Sequence, residues 1–360
     1  MTETHILLIS SRADVGGGPK HVYDLATHLK KNSKYKMFFS LPINQHYGFE
    51  LLSLMNNSME LFYNLPFRKI NFLKLIGLAI FCKKNKISII HSHGRAAGVY
   101  SRLLKILLGV RVIHTFHGVE KPENIKIKLI YIIEKLLNIL TDHYICVASS
   151  EKDRAKKYLG ISNSKISIVP NGIQTNRIRC GYAKYRPKND EPIKYFGILS
   201  RLENNPKNID IALQTIAALP SIYHLIIAGD GPDKNNLTNL AIKLKVQNRV
   251  HFIGEINDIN NFFASIDYYI SLSKTESLPY SVLEALSAHK YCYLSDIDGH
   301  KELDFECITL LPINNIKEIV NMILNSKPTV NVQKTDDRLK KYSISEMGSS
   351  IEKIYDTYGQ

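Results

Sequence analysis

The chain predicts an α/β protein of two Rossmann-like β/α/β domains facing each other across a cleft, and three observations carry that expectation. Its 360 residues, 44% of them apolar, exceed one comfortable core and suit two of ordinary size. Short, almost wholly apolar runs rich in β-branched residues alternate with helical periodicity from end to end, which implies parallel sheets covered on both faces. Near the middle the series is interrupted by a stretch rich in Arg, Lys, Asn and Pro and poor in periodicity. The expected division is residues 1–175 as a first domain, 176–192 as a hinge linker, 193–335 as a second domain, and 336–360 as a helical tail crossing back to the first.

The elements follow in order. In the first half HILLIS (5–10) leads to a helix from Pro19, ISIIH (87–91) to one from about Arg95, VIHTF (112–116) to a long helix over 124–140, and YICVA (144–148) to SSEKDRAKKYL. In the second half IKYFGIL, YHLIIA, RVHFI, DYYISLS and YCYLS each precede a helical segment. Ligands of open α/β sheets bind beyond the carboxyl ends of the strands, so the loops after each strand hold the functional candidates.

Composition narrows the function classes. The net charge of +14 is one-sided: residues 1–175 hold 25 Lys and Arg against 11 Asp and Glu, and the rest hold 22 against 22. A basic first domain points to an anionic partner. Nucleic acid is disfavoured, because the basic residues of NIKIKLIYIIEKLLNIL (124–140) interleave with Ile and Leu and not with stacking aromatics or glycine. An anionic membrane surface suits them better, with a helix partly buried in protein and lying near a bilayer, although core packing explains the same Ile and Leu. The N-terminus has no basic and apolar leader, and LIGLAIF (75–81) is far short of a membrane span. Cys82, Cys146, Cys180, Cys292 and Cys307 are scattered and never form a CxxC pair, which fits a reducing cytoplasm. The expected location is cytoplasmic, peripheral at the inner face of the cell membrane.

After the first strand, RADVGGGPKHVYDLA (12–26) sets Gly16, Gly17 and Gly18 ahead of a helix with Pro19 suited to its first position, so the backbone is free to approach a diphosphate or a sugar. A plain flexible turn is the alternative. It is not a dinucleotide fingerprint, because His21 stands where the third glycine belongs and the second strand ends in FFSLP without a ribose-binding acid. His91 and His93 in HSHG, and His114 and His117 in HTFHG, fall at strand ends with each pair on one face. That spacing allows a metal site, but no ordered further ligand is evident. His117 beside Gly118 reads as a hydrogen-bond donor to a substrate, whereas His91 and His114 read as structural. Asp296-Ile297-Asp298 looks like the metal-binding DxD of another transferase architecture, yet it follows YCYLS as a strand-end loop. No metal and no resident cofactor are expected.

A diphosphate then needs positive charge from the protein. In FGILSRLENNPKN, Arg201 sits just beyond a strand and Lys207 near the next helix, the one a bidentate fork and the other a point charge for phosphate oxygens. In TESLPYSVLEAL (275–286) Glu284 stands among Val282, Leu283, Ala285 and Leu286, with Glu276 eight positions earlier. With Pro279 in the first turn, Glu284 lies about 7–8 Å along the axis, and the helix start falls between the two carboxylates. A helix N-terminus favours phosphate, whereas carboxylates accept hydrogen bonds from hydroxyls. A nucleotide sugar has that layout of ribose, diphosphate and hexose.

With these residues in place the chain resembles the retaining family-4 glycosyltransferases of GT-B fold, also called glycosyl transferases group 1. ESLPYSVLE resembles their E-x7-E motif, and it is accompanied in the family's order by GGGPKHV, HSHG, HTFHG, VPNGI (169–173), SRLENNPKN, AGDGP (228–232) and FIGEI (252–256). The resemblance implies a two-domain hexosyltransferase, retaining and independent of metal. It moves a sugar from a nucleotide diphosphate donor, UDP-sugars foremost, to a glycan or lipid-linked saccharide such as a polyprenyl-diphosphate-linked acceptor, in bacterial polysaccharide, O-antigen or capsule assembly. It implies that Glu276 contacts the donor sugar near the reacting carbon, Arg201 and Lys207 grip the diphosphate, and His117 contacts the transferred sugar. Glu284 would hold the ribose, with Gly17, Gly18, Ser277, Leu278 and Gly254 on the donor side and Gly16 and His93 toward the acceptor. Ser277, Gln174 and His289 depart from the family's usual Gly, Asp and Gly, which bears on the donor-sugar pocket. A non-catalytic nucleotide-sugar-binding protein on the same fold, or a GT-B nucleotide-sugar epimerase, is the alternative.

Overall fold

The computed structural model describes residues 3–67, 69–175, 181–187 and 192–359. Contacts divide the chain into two compact units, Met1–Gly172 with Ile344–Gln360, and Ile173–Ser343. The expected α/β class and the two Rossmann-like sheets are what form.

Among the described residues the first unit builds one sheet from β1 (Thr4–Ser10), β2 (Tyr35–Leu41), β3 (Phe62–Asn64), β4 (Ile89–His93), β5 (Arg111–Thr115), β6 (His143–Cys146) and β7 (Ile166–Ile168). Their order is β3-β2-β1-β4-β5-β6-β7, with every pairing parallel. The second unit contributes β8 (Lys194–Leu199), β9 (Tyr223–Ala228), β10 (Val250–Gly254), β11 (Tyr268–Ser271), β12 (Tyr291–Ser295) and β13 (Ile308–Leu311), in the order β10-β9-β8-β11-β12-β13, again parallel throughout. In each sheet the chain builds outward from a central strand on one side and then crosses to the other. The order therefore reverses between β1 and β4 and between β8 and β11, and loops diverge there to leave a crevice.

The apolar runs explain the layers. On β1, Ile6 and Leu8 face the helix Gly17–Leu29, while Leu7 and Ile9 join the core on the opposite side. A strand buried on both faces has no polar alternation to show, as HILLIS does not. The last helix, Ile344–Tyr358, packs Met347, Ile351 and Tyr355 into the same core as the first helix.

Sequence patterning did not point to β3, β7 or β13. All three lie at sheet edges, and at three or four residues they are too short to carry a periodic signal. Strand β4 forms two residues later than ISIIH predicts, because Ser92 and His93 continue the ladder opposite Ile9 and Ser10 of β1. Of the expected linker, residues 176–180 and 188–191 lie outside the described residues. Residues 181–187 are fastened to the second unit: the Tyr182 and Tyr185 amides donate to Asn261 Oδ1 and Ser265 Oγ, and Arg186 pairs with Asp267 at 3.0 Å.

Candidate active site

In the second unit β8 lies against β11, with Phe196 beside Tyr268 and Gly197 beside Tyr269, so the loops leaving their carboxyl ends meet. A cleft there is lined by Ser200, Lys207, Asn208, Ser273, Glu276 and Ser281. Lys207 Nζ lies 2.6 Å from Glu276 Oε1, and Ser273 Oγ donates to the same oxygen at 2.8 Å. The Ser273 carbonyl in turn accepts from the buried Ser295 Oγ at 2.6 Å. Ser295 also meets Nδ1 of the buried His300 at 3.1 Å. Burial lowers the His300 pKa, with the Glu276 charge opposing that shift and the Lys207 charge adding to it. Glu276 is thus anchored by neighbours from three strand-end loops. Asn208 lines the cleft in the left-handed conformation at φ 49°, which Asn tolerates better than most residues.

Arg201 pairs with Glu203 at 2.9 Å, and its loop is clamped to AGDGP: the Leu202 amide donates to Asp230 O and the Asp233 amide to Leu202 O. A Cβ on Gly229, at φ +125°, would come within 1.9 Å of Ser200 O, and one on Gly231 within 2.5 Å of Leu202 O. Both glycines serve this close approach of backbones. Gly254 has a simpler reason. It ends β10 at φ +72°, its carbonyl accepts from the Gly229 amide at 2.7 Å, and a Cβ there would meet open space.

The helix of the carboxylate motif runs Tyr280–Ser287, and Pro279 caps it in extended conformation. This corrects the expected start. Pro279 lies before the first turn, so the helix N-terminus is formed by the amides of Tyr280 and its successors, and Glu284 sits about 6 Å along the axis. Val282, Leu283, Ala285 and Leu286 are inaccessible and Glu284 is only 7% exposed, so its carboxylate is a buried group and not a solvated one. Leu278 is buried as well, and the loop at Glu276 and Ser277 packs on Gly299, where a Cβ would come within 2.3 Å of Glu276 O. Asp296 pairs with Lys301 at 2.9 Å and Asp298 opens the turn of helix Asp298–Lys301. Among the described residues no group of three or more His, Cys, Asp or Glu is placed to hold a metal ion. His289, which follows the helix, adopts φ 54° and pairs with Asp336 at 2.9 Å. The position demands a left-handed backbone, and histidine meets it with a hydrogen bond to Asp336 in place of glycine's freedom.

The first unit has its own cluster at the reversal between β1 and β4. Gly16 precedes and Gly17 opens the helix Gly17–Leu29, while His93 ends β4 and His117 follows β5. His93 Nδ1 and His117 Nε2 are 3.3 Å apart, and the His21 ring lies 5.4 Å from that of His93 and 5.1 Å from that of His117. A Cβ on Gly18 would touch the His117 ring at 3.3 Å, so this glycine makes room for the imidazole. Burial lowers the pKa of His93 and His117 well below the usual imidazole value and that of His21 to about 4, which keeps the three rings neutral at pH 7. His91 is saturated by Tyr355 and Thr115, and His114 contacts Ser92, in line with structural roles.

Several supporting residues escaped sequence reasoning. The buried Glu151 accepts from the amides of Gly118, Val119 and Val147, which fixes the backbone next to His117. Its place in the first turn of SSEKDRAKKYL was the available signal, since a first-turn carboxylate often serves backbone amides. Ser273, Ser295 and His300 gave no comparable signal.

Two wholly parallel sheets with reversals at β1/β4 and β8/β11 are the two Rossmann-like domains of a GT-B fold. The glycosyltransferase family 4 model matches residues 15–177 and the glycosyl transferases group 1 model residues 183–342, and the chain belongs to this family. It is 29% identical over 290 residues to the O-antigen biosynthesis glycosyltransferase WbnH of Escherichia coli, covering 80% of this chain and 73% of that one. It is 28% identical to the UDP-Gal:alpha-D-GlcNAc-diphosphoundecaprenol alpha-1,3-galactosyltransferase of the same species, covering 79% and 78%. In fold it is similar to Anabaena HepE in complex with UDP and glucose, with a TM-score of 0.81 at 16% identity over 99% of this chain and 100% of that one.

Proposed function

We propose that this glycosyltransferase moves a hexosyl group from a UDP-sugar to a polyprenyl-diphosphate-linked saccharide with retention of anomeric configuration, at the inner face of the cell membrane, in the assembly of a surface polysaccharide. The observation that carries this reading is the Lys207–Glu276 pair at the β8/β11 reversal, with the buried Glu284 in the helix that follows. In this reading the donor diphosphate lies over the N-terminus of the helix that starts at Tyr280, where Lys207 and Arg201 neutralise the charge that grows as the glycosidic bond breaks. Ser277 and Leu278 approach it through the backbone, Glu284 accepts from the ribose hydroxyls, and Glu276 accepts from a hydroxyl of the transferred sugar. Gly254 keeps the neighbouring strand end free of a side chain. On the first unit, Gly17 and Gly18 serve the donor, Gly16 and His93 serve the acceptor, and neutral His117 offers an N–H to the hexose.

The acceptor hydroxyl attacks the anomeric carbon as the bond to the diphosphate oxygen breaks, and that oxygen takes the acceptor's proton. With cationic side chains and a helix start meeting the phosphates, the reading needs no metal. A lipid-linked diphosphate acceptor is supported by the name of the galactosyltransferase relative.

Two measurements test the proposal. A thermal-shift panel of nucleoside diphosphates and their sugars without metal should single out one base, because a ligand of the folded state raises its melting temperature. NMR of the product made on a diphospholipid-linked saccharide should show the anomeric configuration of the donor. An inverted product or an absolute demand for divalent metal would refute the corresponding part of the reading; without any acceptor, release of a nucleoside diphosphate would point to hydrolysis, and conversion of the donor to its epimer would point to an epimerase.

A further inference from the structure

Helices Phe72–Lys84, Arg95–Leu108 and Ile125–Leu137 lie side by side on one face of the first unit's sheet. The first two pack on Leu7, Ile9, Phe38 and Ile90, and the third packs beside Tyr144 and Cys146. Strand alternation turns these residues away from Ile6, Leu8 and Ile145, which face the helix Gly17–Leu29. The middle helix is joined to the third by Arg102, 2.9 Å from Glu134, and by Arg95 over the Tyr131 ring at 5.7 Å.

The outer side of this layer is apolar. Leu73, Ile76 and Ile80 are 80%, 58% and 65% exposed on the first helix, and Ile125, Ile133 and Leu136 are 69%, 54% and 71% exposed on the third. Each set recurs at helical spacing, so each forms a stripe and not a scatter. Such stripes on neighbouring helices exceed what an ordinary soluble surface leaves uncovered.

The charge on the same helices is of one sign. They carry nine Lys or Arg and a single acid, Glu134. Glu134 is buried against the inaccessible Arg102, so it contributes no negative charge outside. What remains exposed on these helices is Lys74, Lys83, Lys84, Arg95, Lys126, Lys128 and Lys135. Protein surfaces meant for water or for a general protein partner mix both signs. On these three helices the apolar stripes are flanked by cations, the exposed acids Glu120 and Glu123 lying in the loop before the third; such stripes complement a bilayer with anionic headgroups, where the apolar side chains enter the headgroup and acyl boundary and the lysines stay at the phosphates. Among the described residues no helix is long and apolar enough to cross a membrane, so the contact is one of lying on the surface.

We propose that this three-helix face docks the protein on an anionic lipid bilayer. The docking deepens the reading of a lipid-linked acceptor, on which its purpose rests, but it is measured without any turnover.

The test is co-sedimentation of the full chain with vesicles of phosphatidylglycerol and phosphatidylcholine, and with phosphatidylcholine alone, at low and high salt. Wild type should pellet with the anionic vesicles at low salt, bind at least about tenfold more weakly to the neutral ones, and weaken as salt screens the lysines. Leu73→Asp with Ile133→Asp, and separately Lys126→Glu with Lys128→Glu, should each lose most of the binding. All four side chains are exposed, and an unchanged melting temperature and nucleotide-induced shift would establish that the variants fold. Wild type remaining in the supernatant, or variants pelleting as well as wild type, would overturn the proposal. So would a dimer in sedimentation velocity that the apolar variants dissolve, since the face would then be a contact between two copies. A wild type that responds to nucleotide but does not bind anionic vesicles would sink the docking alone, and a wild type that binds the vesicles but responds to no nucleotide would sink the donor reading alone.

Discussion

Lys207 and Glu276 meet at 2.6 Å across the reversal of the second sheet, on loops that leave different strands. The carboxylate holds the lysine, and Ser273 shares the same oxygen. In the proposed reading, a diphosphate that takes the lysine releases Glu276 toward the sugar. Glu276→Ala is expected to lower turnover by about 100-fold or more while the stabilisation by nucleoside diphosphate persists. Lys207→Ala is expected to lose most of that stabilisation. Thermal shift and steady-state kinetics on the two variants check the split, and equal loss of nucleotide binding in both would show that the pair only holds the loops together.

Glu284 is a nearly inaccessible carboxylate on a helix whose other neighbours are apolar. If it serves the ribose, Glu284→Gln should weaken nucleoside diphosphate binding by about 10- to 100-fold, equivalent to about 1.4–2.8 kcal/mol. Calorimetric titration reads this directly. An unchanged affinity accompanied by a fall in melting temperature would assign Glu284 to the packing of its helix.

The glycines of the second unit should differ in a defined order. Gly254→Ala meets only the backbone penalty of a left-handed residue, about 1–2 kcal/mol, since nothing lies near its Cβ. Gly229→Ala adds a collision with Ser200 O at 1.9 Å and should cost about 3 kcal/mol or more, unless the Arg201 loop is displaced. Urea unfolding of the two variants checks the order, and equal costs would mean that the two loops part easily.

Stability should fall on mild acidification. His21 is neutral in the folded chain with its pKa lowered to about 4, and His91, His93, His114 and His117 are lowered well below 6.5, in each case first by burial. The unfolded chain binds protons at these rings near pH 6.5 and the folded chain does not. The stability they contribute is therefore full above about pH 6.5 and is lost as pH falls toward 4. Asp24, raised by burial to about 6, works in the opposite direction, its contribution being lost as pH rises through 6. Five rings outweigh one acid, so the melting temperature should drop between pH 7 and pH 5. His21→Gln should flatten the drop, and a level profile in wild type would show that the cluster opens to solvent before it titrates.

Much of this was legible in the sequence because both folding units repeat one physical pattern. HILLIS, YHLIIA and YCYLS are apolar on both faces and become buried parallel strands, and the loops after them carry the residues that chemistry requires. Edge strands β3, β7 and β13 were not legible, because so short a strand at an edge need not be apolar on both faces. Glu284 was legible as an anomaly, a charge inside an apolar helix. Ser273, Ser295 and His300 were not, since a serine or a histidine after a strand looks the same whether it faces water or a neighbouring carboxylate.

The amino-acid sequence by itself determined the α/β class, the two Rossmann-like sheets and the family, because periodicity and motif order are properties of a linear string. Only the tertiary structure decided that Lys207 and Ser273 share one oxygen of Glu276, that Gly18 makes room for His117, and that the cations of three helices lie beside apolar stripes with their one acid turned inward. Lys207 and Glu276, Gly18 and His117, and the three helices are far apart in the chain, and parallel strand order with burial, which no local spacing encodes, brings them within reach.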